Sequence, residues 1–77
     1  MKKVTLYYVP EANASELAKS YLDEKNVSCT LVDVSKPGNA RKLAKETKQW
    51  NAPVLVVGEE AVVGFEPELF DQLLGKR

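Results

Sequence analysis

The sequence predicts an α/β fold, a three-layer sandwich of about four mixed strands with helices on both faces, in the order β-α-β-α-β-β-α. Three observations predict it. Runs rich in β-branched and aromatic residues alternate with segments whose apolar residues recur at helical spacing. One run, Val54-Leu55-Val56-Val57, is apolar throughout, the pattern of a strand covered on both sides. The chain has 77 residues, 44% hydrophobic and 29% charged, with no repeat or low-complexity tract, so a single domain spanning 1–77 is expected.

The first strand reads Lys3 to Val9 and stops at Pro10. A helix follows, with Ala14, Leu17, Ala18, Tyr21 and Leu22 at i, i+3, i+4, i+7 and i+8. Asn13 with Glu16 three residues on has the spacing of a capping box, which makes Asn13 the expected N-cap. Asn26 closes that helix, and Val27 to Val34 returns as a second strand, parallel to the first through a right-handed crossover. Lys36-Pro37-Gly38 breaks the chain. Ala40, Leu43, Ala44 and Thr47 then form a narrow apolar stripe on a second, basic helix. Beyond Gln49-Trp50-Asn51, Pro53 opens the central strand, at the one strand position where proline costs no ladder bond. Gly58-Glu59-Glu60 turns the chain into an antiparallel partner, Ala61-Val62-Val63, which ends at Gly64. The last helix starts near Glu66, with Pro67 near its first position and Leu69, Phe70, Leu73 and Leu74 on one face. Gly75 ends it. With strands one, two and three apolar on both sides, helices must cover both faces of the sheet.

Composition excludes several classes. Lys and Arg total 11 and Asp and Glu total 11, so the net charge is zero, against the footprint of a nucleic-acid or anionic-membrane binder. The charge is polarised: Lys36 to Lys48 carries five cations against Glu46, while Gln49 to Gly75 carries five acids and no base. The basic face of helix two reads as solvated rather than as a docking patch. No apolar run approaches the roughly 18 residues of a membrane span, and Met1-Lys2-Lys3 leads into a short strand rather than a signal sequence. A cytoplasmic monomer is the expectation. With one cysteine and no histidine, an intrachain disulfide is excluded and no transition-metal site is expected. Cys29, alternating with Val27 and Leu31 in the second strand, is expected to be a buried structural thiol.

Taken together, the element order, the turn "YYVPEANASELAK", the strand entry "NAPVLVV" and the ending "VVGFEPELFDQLL" resemble the glutaredoxin family, the minimal thioredoxin fold. Within it, the ending is most similar to the redoxins that serve ribonucleotide reductase and to short bacterial glutaredoxin-like proteins. The resemblance covers essentially the whole chain. It implies thiol-disulfide exchange, in which a thiolate at the start of the first helix attacks a disulfide and a second thiol resolves the mixed disulfide. Aligned from Tyr7 and Pro10, the family's C-x-x-C falls on Ala12-Asn13-Ala14-Ser15. Both thiols are absent, and Asn13 and Ala14 hold the positions between them.

An alanine methyl cannot ionise. A serine hydroxyl without a neighbouring base stays protonated and does not exchange with disulfides, so Ser15 reads as a helix-start residue bonding a free backbone N–H. The chain as written is therefore expected to be redox-inactive. It is either a scaffold that lost its thiols or a cysteine-substituted form of an active oxidoreductase; the alternative is a purely structural or interaction domain without a peptide groove. The resemblance further implies that Pro53 is the family's cis-proline, with the backbone of Ala52 offered to an extended peptide, and that Gly64 and Phe65 border the same place. A plain strand-entry proline is the other reading of Pro53. Trp50 fits a partner contact and a cap on the basic helix equally. Glutathione capture in the family leans on a lysine before the turn, on two glycines after the hairpin and on a following acid. Here those places hold Val9, Val63-Gly64 and Phe65-Glu66. That puts glutathione in doubt, and no cofactor is expected. The implied partners are a protein disulfide or a reductase of the thioredoxin-reductase type.

Overall fold

The computed structural model describes residues 3–48 and 51–75. Its elements run β1 (Val4–Tyr8), α1 (Asn13–Glu24), β2 (Thr30–Asp33), α2 (Asn39–Thr47), β3 (Val54–Val57), β4 (Glu60–Val63) and α3 (Pro67–Leu73). The expected order holds throughout. The four strands form one sheet in the order β2-β1-β3-β4, with β1 parallel to β2 and antiparallel to β3, and β4 antiparallel to β3.

Period-two alternation sends neighbouring strand residues to opposite faces, and here both faces are covered. Leu6, Leu55 and Val57 pack with Ala18 and Leu22 of α1 and Phe70 of α3. Tyr7, Val32, Val54 and Val56 pack with Leu43 of α2. All four residues of β3 are buried, as its unbroken apolar run predicts. Glycine 58, the first of two loop residues between β3 and β4, has φ 62°, the left-handed value a type II′ hairpin asks of that position.

Several residues depart from expectation, each for a local reason. The second strand is shorter than Val27 to Val34 and lies at the sheet edge, where its outer side has no neighbour. Leu31 is accordingly 43% exposed, so β2 is not apolar on two covered faces. Cys29 precedes that strand and is only half-buried, although it does pack against the α1–α3 core with Val27. On α1 the core contact narrows to Ser15, Ala18 and Leu22, leaving Ala14 and Leu17 exposed. Leu69 on α3 is exposed as well, because the helix turns Phe70, with Leu73 and Leu74, toward the core instead. Asn26 does close α1, in left-handed conformation at φ 58°, with Val27 N–H donating to the carbonyl of Leu22 at 3.0 Å.

Two side-chain links tie helices to their partners. Tyr21 on α1 meets Phe65 and Phe70 edge to face, at centroid distances of 5.7 and 6.1 Å, and its hydroxyl donates to Asp71 Oδ1 at 2.6 Å. On the opposite face the wholly buried Tyr7 donates its hydroxyl to the Glu46 carboxylate of α2. Burial first, then the hydrogen bond and charge of Glu46, holds the Tyr7 phenol well above the ordinary tyrosine range. A native value raised above the unfolded one means that this contribution is complete below about pH 10 and is lost as pH rises beyond it. Tyr7→Phe is therefore expected to cost about 1 kcal/mol at pH 8. Urea unfolding at pH 8 and pH 11 checks the sign: the gap between wild type and variant narrows at the higher pH.

Candidate functional site

The local geometry starts with the chain leaving β1. Val9, Pro10, Glu11 and Ala12 form a tight turn closed by Ala12 N–H donating to the Val9 carbonyl at 3.1 Å. Proline suits its second position. Glu11 holds the third at φ 71°, a left-handed value that favours glycine and carries local strain in a side-chain-bearing residue. Ala12, extended at φ −78° and ψ 131°, is the N-cap of α1, and no side chain caps the helix. This corrects the expectation for Asn13, which is already the first helical residue. The turn consumes the position the capping box would need, so Glu16 reaches past Asn13 and Ala12 and accepts Glu11 N–H at Oε2, 3.3 Å away.

Ser15 is fully buried one helical turn below Ala12, and its Oγ accepts the Val9 N–H at 3.0 Å. The bland reading of this serine therefore holds, with one change: the N–H it satisfies belongs to the incoming strand rather than to the helix. Ser15→Ala leaves that donor without a partner. The expected cost is about 1–2 kcal/mol, a fall in Tm of roughly 5–15 °C for a domain of this size. Ala14→Ser, at an exposed position, is the contrast and should change stability by less than about 0.5 kcal/mol. Thermal unfolding followed by circular dichroism reads both.

Sheet register brings the other candidate residues to this end. Tyr7 pairs with Val54, and Val54 with Val63, so the residues following β1, preceding β3 and following β4 share one end of the sheet. The Ala52–Pro53 peptide bond is cis, and Pro53 is buried with its carbonyl accepting Gly64 N–H at 2.7 Å. Gly64 is left-handed at φ 87°, a conformation in which an added side chain would be strained. The ring of Phe65 lies in the aromatic triangle with Tyr21 and Phe70, so what this residue can present at the sheet end is main chain. Asn13 and Ala14 are exposed on the first turn of α1, and Ala12, Pro10 and Ala52 are half-buried. Trp50 lies outside the described residues.

The electrostatics of this end come from the helix. The first-turn amides of α1 have no side-chain cap, and the positive end of the helix dipole points at Ala12. That environment lowers the pKa of a thiol, and the residue set there is a methyl. The single cysteine, Cys29, lies before β2 rather than at this end, and burial pushes its thiol up. Among the described residues no group of three or more histidine, cysteine or acidic side chains is placed to hold a metal ion. Likewise, no helix there is long and apolar enough to cross a membrane. Sequence reasoning missed Glu11 and Glu16; glutamate gives no signal for a left-handed turn, although Glu16 was visible as half of a capping pattern.

A β-α-β-α-β-β-α chain on a mixed four-stranded sheet, with a cis-proline at the sheet end from which its first helix leaves, defines a thioredoxin-fold protein of the smallest kind. Among solved structures the chain is similar to a mutant of the thioredoxin-like protein BC3987, at 32% identity and a TM-score of 0.88, covering 100% of both chains. It is similar also to glutaredoxin grx-1 from Archaeoglobus fulgidus, at 18% identity and a TM-score of 0.85, covering 97% of this chain and 88% of that one. A third is the glutaredoxin-like NrdH-redoxin of Escherichia coli, at 17% identity and a TM-score of 0.78, covering 92% and 93% of the two chains. No family model and no curated protein matches the sequence. The chain belongs to the thioredoxin-like proteins, and its fold is the one that the glutaredoxins share.

Proposed function

We propose that this protein is a redoxin scaffold without its thiols, redox-inactive as written, which binds an extended peptide in the groove between the start of α1 and Pro53. The observation that supports this reading is the shared sheet end, to which the strand register assigns the uncapped α1 N-terminus after β1, the cis Ala52–Pro53 bond before β3 and Gly64 after β4. In this reading the main chain of Ala52 pairs with the peptide, while Pro10, Ala12, Asn13 and Ala14 form one wall and Gly64 and Phe65 the other.

Thiol-disulfide exchange needs a thiolate and a resolving thiol, and positions 12 and 15 supply neither. With cysteine at both, the same scaffold would be a thiol-disulfide oxidoreductase that passes electrons to protein disulfides. The partner in this account is a protein disulfide or a thioredoxin-reductase-type protein, met by a monomer in the cytoplasm. No cofactor takes part in this account, glutathione capture is put in doubt by the missing lysine and glycine, and neither nucleic acid nor membrane is the ligand.

Amide chemical-shift mapping with an extended, thiol-bearing peptide tests the groove. Residues 10–15, 52–53 and 64–66 should respond together. Silence in all three segments would leave a structural or interaction domain without a peptide groove as the better description.

A further inference from the structure

We propose that the free edge of β4 receives an extended, cationic segment of another protein as a fifth strand of the sheet. This inference does not rest on the peptide groove at the sheet end. It starts from a sheet that stops at β4 on one side. Antiparallel pairing turns alternate residues toward the partner strand. Gly64 N–H donates to Pro53, so Val62 and Glu60, two and four residues back, also face β3. The amide and carbonyl groups of Ala61 and Val63 therefore point outward, where an added strand would pair with them.

The surroundings specify what such a strand must carry. Ala61 is exposed and Val63 is 40% exposed, both on the α2 side of the sheet. On the other side, a groove of about 450 Å³ runs between β4 and α3, lined by Val62, Leu69 and Leu73, with Leu69 44% exposed. Apolar side chains thus find a place on either face of an added strand. Exposed acids stand at each end of this apolar run: Glu59 and Glu60 at the hairpin, Glu66 and Glu68 where α3 begins. Residues 51–75 contain no lysine or arginine to offset them. The fitting occupant is a segment of about five residues, apolar in its middle, with a lysine or arginine at each end.

A second copy of the chain does not meet that description. Two β4 edges paired antiparallel about Val62 would set Glu59 and Glu60 of one copy against the Glu66 end of the other, acid against acid. The cationic face of this chain lies on α2, a helix, and a helix cannot extend a sheet.

The test uses the full, isotopically labelled chain and a cysteine-free hexapeptide, valine alternating with threonine between a terminal arginine and a terminal lysine. The Ala61 and Val63 amides should shift and exchange more slowly with solvent, and binding should weaken as salt rises. Glu59→Gln combined with Glu60→Gln, both surface changes, should weaken binding roughly fivefold while the circular dichroism spectrum stays the same. Any of four results overturns the proposal. These are no shift at millimolar peptide, shifts confined to residues 10–15 or 30–33, equal binding by a peptide with glutamate at both ends, and concentration-dependent self-association through the same amides.

Discussion

Placing cysteine at positions 12 and 15 together is expected to give a chain that reduces insulin, which the proposed reading says the chain as written does not do. On the proposed reading the chain as written does not turn over, because its one thiol, at Cys29, is half-buried, is pushed up in pKa by burial and has no second thiol to resolve a mixed disulfide. In the Ala12→Cys, Ser15→Cys variant the first new thiol sits at the N-cap of α1, in extended backbone, facing first-turn amides that no side chain caps. Thiols at helix N-termini have pKa values of about 3.5–7.5, against about 8.5 for a free one. At pH 7 this gives roughly eight- to thirtyfold more thiolate than a free thiol holds, and the rate of disulfide attack rises with it, less a partial loss of intrinsic nucleophilicity. The second new thiol lies one helical turn below, where Ser15 is buried now. A variant that folds yet reduces neither insulin nor a small aromatic disulfide would show that the alignment of positions 12 and 15 with the family's thiols is wrong.

Removal of the ring at position 70 is expected to be the most destabilising single change named here. Phe70 is wholly buried and meets both Tyr21 and Phe65 edge to face, so it joins α3 to α1 across the sheet. Truncating a buried phenylalanine to alanine costs about 3–5 kcal/mol. A domain of this length has roughly 4–12 kcal/mol in total. Phe70→Ala should therefore unfold at much lower urea, with part of the population unfolded at room temperature. Leu69→Ala, the adjacent residue but 44% exposed, should cost less than about 1 kcal/mol. Equal effects at the two positions would mean that the exposed and buried sides of α3 are exchanged.

Much of this fold was legible because local and global signals agree. The unbroken apolar run of β3, the glycine-led turn after it, read as Gly58-Glu59-Glu60 and observed one residue shorter, and the helical spacing of Ala18 and Leu22 each point to one local structure. What was not legible depends on neighbours distant in sequence. Leu31 reads as core and is exposed, because β2 is an edge strand, and edge position is a property of strand order. Leu17 and Leu69 read as core for the same kind of reason: periodicity finds a helix face without finding how wide a stripe the sheet covers. The Tyr7–Glu46 contact spans 39 residues and leaves no pattern in either segment. At the candidate site, the places of Ala12, Ser15 and Pro53 came from resemblance to a family rather than from their chemistry, since an alanine methyl and a serine hydroxyl carry no thiol chemistry of their own. Ser15 illustrates the limit well. Its type suggested a helix-start hydrogen bond, but that the partner is Val9, on the strand side of the turn, needed coordinates.

The central claim is that the start of α1 is a thiolate-stabilising ledge lacking only its sulfur, and titrating the single variant Ala12→Cys tests it most directly. Followed by thiolate absorbance, the new thiol should ionise at or below about pH 7.5, clearly ahead of the burial-raised Cys29. An ionisation at about 8.5 or higher would mean that the helix does not act on position 12, and the oxidoreductase ancestry assigned to this site would fail with it.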